Sequence, residues 1–351
     1  MNPILTKARD HYSRKLPFVL YSKPDAEDVI GLFQSSSELH TLSMHSRGFA
    51  FVSFDNLQRY MIPEDSSDIY FQKISSSDFY VMDGFQLTDS QTGKDSFEAL
   101  VGKAIFEINN GTFEKVVLSR KEVVQVAELE FESLFSKMIV AYPNAFRYVL
   151  YHPEIGFWMG ATPEQLMKIE DTLLKTVSLA GTQVYKGQEN SNWGAKEIQE
   201  QQIVTDYIVA RLTPFADSID VSDPTTVVAG NLAHIKTAIS AQIVPENIEK
   251  IIDVLHPTPA VCGFPKAQAL QFIADNEGYD RGFYAGFLGE WNKNFTTFQE
   301  NQFDLYVNLR CMNYEQNTLN VYVGCGITQN SIPEMEYVET VNKAITMKKI
   351  I

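Results

Sequence analysis

Four short segments carry charged side chains where the surrounding residues are apolar or small. Lys115 opens Lys115-Val116-Val117-Leu118, a β-branched run that predicts a largely buried strand. Gly160-Ala161-Thr162-Pro163-Glu164 leaves an aromatic strand through small residues and delivers a carboxylate. Lys196-Glu197-Ile198-Gln199-Glu200 sets two carboxylates three residues apart, on one face of a helix, and Glu336-Tyr337-Val338-Glu339 repeats that spacing with Lys343 four positions further on. Each has an ordinary reading: a solvated strand end for Lys115, a first helical turn for Glu164, a wet helix face for Glu197 and Glu200, an ion pair for Glu339 and Lys343. Two helices that each offer carboxylates could instead hold a hard divalent cation through oxygen ligands, and magnesium fits that description. Between them in sequence stand Arg310, on a neutral strand, and Gly324-Cys325-Gly326. Arginine there calls for a partner, and a planar substrate carboxylate matches its fork. The glycines allow either close approach of a ligand or a bulge in the strand.

The elements that must position these residues mix strands and helices. Residues 1 to about 90 alternate short apolar runs with serine and aspartate clusters, which predicts sheet with polar turns. From Asp95 the spacing becomes helical and stops at Asn109-Asn110-Gly111. Strands are predicted at 115–118, 146–152 and 156–161, then a helix over Lys196–Leu212 with a stripe through Ile198, Ile203, Tyr207 and Ala210. The last third predicts a helix near Pro265–Asp275, strands over 283–291, 303–312 and 319–327, and a final helix from about Pro333 to Lys348. This order fits an α+β fold with large antiparallel sheets and helices on their outer faces. No repeat or proline-rich linker divides the chain, so residues 1–351 read as one domain, with a divergent part to residue 95 and a motif-bearing part from 96.

Composition excludes several functions. A net charge of −15 and the lack of a basic run argue against nucleic acid. No stretch of 18 apolar residues and no signal-like start point to a membrane or to export, so the cytoplasm is the expected location. Cys262, Cys311 and Cys325 lack metal-ligand spacing and read as reduced thiols.

Taken in order, the segments KVVLSR (115–120), GATPEQL (160–166), SLAGT (178–182), KEIQEQQIV (196–204), HPTPAVCGFPKAQAL (256–270), RGFYAGFLGEW (281–291), VNLR (307–310), GCGIT (324–328) and EYVETVNKA (336–344) resemble the chorismate-utilising enzymes. That group contains isochorismate, salicylate, anthranilate and aminodeoxychorismate synthases. The resemblance implies two large packed antiparallel β-sheets with helices outside and a deep active-site cleft. It implies that Lys115 is the general base on water and Glu164 the acid that protonates a departing hydroxyl. It implies Mg²⁺ on Glu200 and Glu339, with Glu197 and Glu336 beside it. Gly181, Thr182, His234, Tyr284, Arg310, Gly326 and Lys343 match positions around the substrate, chorismate.

Within the group the chain is most similar to the isochorismate synthases. Lysine at 115 favours water over ammonia as nucleophile, and Ala180 cannot serve as the covalent lysine of aminodeoxychorismate synthases. Ala260 and Val261 fall where small apolar residues accompany release of isochorismate, and the alternative is a salicylate synthase, which goes on to eliminate pyruvate. No amidotransferase subunit is expected, and the chain would act as a monomer or homodimer. Gln201 and Ser178 depart from the usual histidine and proline of the family, which implies altered packing and unaltered chemistry.

Overall fold

Side chains along Phe18–Ser22 alternate between two cores, although every residue of this strand is buried. Val19 and Tyr21 join the larger core, which fills the space between two sheets, while Phe18 and Leu20 join a smaller one under helices. The computed structural model describes residues 2–73, 93–185, 193–229 and 232–351.

Among the described residues the first sheet has nine strands. From edge to edge they are Gly263–Phe264, Lys115–Gln125, Thr318–Ile327, Cys311–Glu315, Gly156–Thr162, Phe146–His152, Phe18–Ser22, Asp28–Gln34 and Ser67–Lys73. The second, with ten strands among the described residues, runs Ala216–Val221, Leu232–Ile243, Leu173–Val184, Gln165–Glu170, Gln302–Val307, Phe287–Trp291, Gly48–Val52, Arg59–Pro63 and His40–Thr41, with Thr225–Ala229 paired to Leu232–Ile243. The described pairings are antiparallel, and the aromatic residues Phe51, Phe146, Tyr148, Trp158, Phe283 and Tyr306 fill the inter-sheet layer. Helices Pro3–Ser13 and Phe131–Ala141 cover the outer face of the first sheet, and Ala195–Leu212 covers Leu173–Val184 and Leu232–Ile243 of the second. Among the described residues no helix is long and apolar enough to cross a membrane.

Helices Lys94–Asn109 and Pro333–Lys348 and the α+β layering match expectation. Other elements differ for local reasons. The chain opens with helix Pro3–Ser13 where sheet was expected, because Asn2 caps the Ile4 amide at 3.2 Å and Pro3 takes the first helical position. Residues 74–90 of that stretch lie outside the described residues. Helix Ala195–Leu212 exists, but it buries Gln201, Val204, Thr205, Tyr207, Ile208 and Leu212, and Ile198 is 53% exposed. Of the predicted stripe Tyr207 is buried, Ile203 is half-buried and Ala210 exposed, and polar groups take part of the buried face: Gln201 Nε2 donates to Thr205 Oγ1 (2.9 Å) and Thr237 Oγ1 (2.7 Å). Residues 303–312, expected as one strand, are two strands in different sheets, broken at Asn308–Arg310.

Candidate active site

Two chain crossings between the sheets deliver Glu164 and Arg310. Strand Gly156–Thr162 of the first sheet passes through Pro163-Glu164 into Gln165–Glu170 of the second, and Gln302–Val307 returns through Asn308–Arg310 to Cys311–Glu315. Arg310 therefore does not lie on a strand. Its φ of 48° is left-handed, which breaks the run and turns the side chain toward the cavity it lines. Its Nη1 is buried without a partner in the protein, as a group awaiting a ligand would be.

Glu164 follows a strand and opens no helix. Burial raises its carboxyl to about 7, although Lys115, Lys343 and Arg310 each pull it down. A buried acid that keeps its proton near neutrality is able to donate it.

Lys115 is fully buried, in contrast to the solvated strand end that its position suggests. Phe264 pairs across from it, and the Glu114 amide donates to the Phe264 carbonyl at 2.8 Å. The Lys115 Nζ lies 3.1 Å from Glu200 Oε1. Gly326 makes that contact possible: a Cβ there would stand 2.1 Å from Glu200 Oε1 and 3.1 Å from Lys115 Cε. The glycine thus answers to close approach, with no bulge in its pairing to Val117. Lys343 Nζ bonds the Gly324 carbonyl at 3.0 Å and Glu339 at 2.7 Å, so the ordinary ion pair is present as well.

Glu200, Glu336 and Glu339 come from two helices and face one another through Lys196. The Lys196 amine lies 2.6 Å from Glu336 Oε1. Burial opposes its charge, but Glu339, Glu336 and Glu200 together hold its pKa above the ordinary lysine value. Burial and then Glu339 raise the Glu336 carboxyl, and its Oε2 is buried without a hydrogen-bond partner. Burial also opposes ionisation of Glu200, yet Lys115, Lys196 and Lys343 outweigh it and hold that pKa below the usual range. Among the described residues no three Asp, Glu, His or Cys side chains are gathered tightly enough to enclose a metal. Hard oxygen donors with one orphaned buried oxygen nevertheless suit magnesium by chemistry, and the lysine amines stand between them. Glu197 lies apart from this group, its carboxylate over Gly194 at the start of its own helix.

His234 is buried, and burial followed by Arg310 and Lys343 lowers its pKa to about 3, so the ring is neutral. Nδ1 is 3.2 Å from the Gly181 carbonyl, which can only accept, so Nδ1 carries the proton and Nε2 presents a lone pair. Nε2 is buried and unpartnered. Thr182 Oγ1 also lies 3.2 Å from Nδ1, and Gly181 takes a left-handed φ of 72° against Glu197. Tyr284 lines the same cavity, stacked on Tyr322 at 5.3 Å. Glu164, Gly181, Thr182, Glu200, His234, Tyr284, Arg310, Gly326 and Lys343 thus surround one cavity, with Lys115 behind Gly326. Val117, Leu179 and Tyr322 also line it; the first two fall inside the motif segments but were not singled out, since apolar strand residues look alike from sequence. Lys196 was visible only as the first residue of its motif.

The sequence profile described as "Chorismate binding enzyme" matches residues 61–351. This chain belongs to the chorismate binding enzymes. Among curated members, the salicylate biosynthesis isochorismate synthase of Pseudomonas aeruginosa is 31% identical over 276 residues, covering 76% of this chain and 56% of that protein. Isochorismate synthase MenF of Escherichia coli is 28% identical over 272 residues, covering 74% and 60%. The chain thus spans well under two thirds of the length of either relative. The solved structure of MenF, the menaquinone-specific isochorismate synthase from E. coli, superposes with a TM-score of 0.78 at 20% identity, covering 95% of this chain and 88% of that one. Anthranilate synthase component I from Streptococcus pneumoniae gives 0.69 at 18%, covering 99% and 97%. These two show that the fold of this family member is shared.

Proposed function

We propose that this chain is an isochorismate synthase, which isomerises chorismate by adding water at C2 as the C4 hydroxyl departs. The observation that carries the reading is Glu164, a buried carboxyl with a pKa near 7 in a cavity walled by Arg310 and Lys343. Hydroxide leaves poorly, so the departing oxygen needs a proton, and Glu164 supplies it. Lys115 takes the proton of the attacking water, for which its amine has to be neutral. The ring double bonds shift, and atoms balance as one water enters and one leaves.

Chorismate is a dianion and the chain carries a net charge of −15, so attraction has to be local. Arg310 offers a free Nη1 and Lys343 its ammonium to the carboxylates. His234 Nε2, a pure acceptor, would bind a ligand hydroxyl and reject a carboxylate. Glu200 and Glu339 would hold Mg²⁺, with Glu336 nearby and Glu197 turned away over Gly194, and the ion would supply further positive charge against a substrate carboxylate.

The curated relatives named isochorismate synthases support this choice within the family. Incubating the purified protein with chorismate and Mg²⁺ and separating the products tests it. Isochorismate alone is the expected product. Salicylate with pyruvate would assign the chain to the salicylate synthases, and anthranilate formed only with ammonia would refute both.

A further inference from the structure

Arg281 and Glu277 take no part in the proton transfers above, yet they form a buried ion pair directly behind the cavity wall, with side chains 2% and 0% exposed. Arg281 Nε donates to Glu277 Oε2 at 2.8 Å, and Nη2 pairs with Oε1. The rest of the guanidinium is spent on main chain: Nη1 donates to the Val261 carbonyl at 2.9 Å and Nη2 to the Val117 carbonyl at 2.6 Å. Glu277 also accepts from the Ser119 amide at 2.7 Å and its hydroxyl at 2.9 Å. Val117 and Val261 both line the cavity, and Val117 is two residues from Lys115.

The need for this clamp follows from the sheet edge. Lys115–Gln125 pairs with Gly263–Phe264 over only two residues, and the Val117 amide adds one bond to the Cys262 carbonyl at 2.8 Å. There the ladder stops, because the Cys262 amide turns back to the Thr258 carbonyl at 3.0 Å. The Val117 carbonyl faces the same side as its amide, and the Cys262 amide that would meet it is spent on Thr258, so among the described residues Arg281 takes that place; a buried carbonyl without a donor is costly. The planar fork of arginine reaches two carbonyls and a carboxylate together, which the point charge of lysine cannot do.

We propose that Arg281, held by Glu277, is a positioning residue. It fixes the spacing between the strand bearing Lys115 and the loop bearing Ala260 and Val261, and so aligns the base with bound substrate. The kinetic part of this inference rests on the isochorismate synthase reading.

The test compares Arg281→Lys and Glu277→Gln with the unaltered protein, by chorismate kinetics per folded enzyme and by amide hydrogen exchange read by mass spectrometry. For Arg281→Lys, kcat should fall roughly 10- to 100-fold while KM moves less than about threefold, because Arg310 and Lys343 stand on other elements. Exchange should quicken at least about tenfold in 115–119 and 256–264 and stay unchanged elsewhere in the sheets. Glu277→Gln, which keeps the shape, should change both in the same direction and carries the test where Arg281→Lys does not fold. Unchanged kcat with a lower melting temperature would overturn the inference, as would a change confined to KM or exchange that rises uniformly. Failure of the unaltered protein to make isochorismate would sink the assigned reaction instead, and the exchange pattern would still decide whether the clamp exists.

Discussion

Glu164 and Arg310 stand on neighbouring crossings whose backbones are tied to each other. The Val307 amide donates to the Glu164 carbonyl at 2.9 Å, and the Ala161 amide donates to the Arg310 carbonyl at 3.0 Å. The Glu164 carboxyl and the Arg310 guanidinium are therefore carried on backbones that shift together. Both crossings end in strands of both sheets, so the site inherits the rigidity of the whole inter-sheet core.

Thr162 is the side chain that locks the two crossings. Its hydroxyl donates to the Val307 carbonyl at 2.6 Å and accepts from the Glu164 amide at 3.3 Å. Thr162→Val keeps the shape and strands both backbone groups, which should cost about 1–3 kcal/mol of stability. A drop in kcat of around tenfold or more should accompany it, because a small misplacement of an acid is expensive. Thermal melts and steady-state kinetics check both effects, and a normal kcat would show that the crossing keeps its geometry without this hydroxyl.

The Glu164 carboxyl gives a signed pH prediction. Its pKa rises from 4.5 to about 7 on folding, so the protonated form favours the fold. That stability is fully present below about 4.5 and is lost as pH rises through 7, a difference of about 3 kcal/mol. Glu164→Gln, which mimics the protonated form, should melt higher than the unaltered protein at pH 8 and alike at pH 4.5. It should lose roughly 10²–10⁴-fold in kcat, since no proton is left to give. Equal melting at both pH values would mean that the carboxyl is not raised.

Local signals were readable in the sequence and long-range ones were not. Helix Pro333–Lys348 announces itself through Pro333 and spaced carboxylates, and Lys94–Asn109 through its period and stop. Lys115 is enclosed instead by Glu200 and Gly326 and flanked by the Phe264 strand, all far along the chain, so nothing near Lys115 reveals its burial. Arg310 sits in a run that looks like continuous strand, and no glycine or asparagine occupies its left-handed position. Arg281 and Glu277 have helical spacing but lie outside any helix, so their pairing was invisible. The two departures from the family pattern touch: Gln201 Nε2 lies 3.4 Å from Ser178 Oγ, beside its bonds to Thr205 and Thr237.

Gly326→Ala places a methyl where Glu200 Oε1 lies, at 2.1 Å from the ideal Cβ. The Gly326 backbone is not left-handed, so the strain is purely one of space. Glu200 has to swing away, which should break its contact with Lys115 and remove turnover. Gly326 pairs with Val117 through an ordinary strand backbone that alanine can adopt, so far-ultraviolet circular dichroism should stay unchanged. Retained activity would show that the Lys115–Glu200 approach is dispensable.

The carboxylates on helices Ala195–Leu212 and Pro333–Lys348 predict a metal response that plain ion pairing would not produce. Protein stripped with a chelator should lose turnover and regain it with Mg²⁺, and Na⁺ should not substitute, because the donors are hard oxygens suited to a divalent ion. Glu339→Gln removes one charge from that set while leaving Glu200 paired with Lys115, so it should demand at least about tenfold more Mg²⁺ for half-maximal rate. Calorimetry of Mg²⁺ binding gives the same comparison without turnover. Lys196 lies among these groups, so Lys196→Met should change the Mg²⁺ affinity measured in this way. Full activity after chelation, or a Glu339→Gln protein with the unaltered Mg²⁺ requirement, would reduce the carboxylates to partners for Lys115, Lys196 and Lys343.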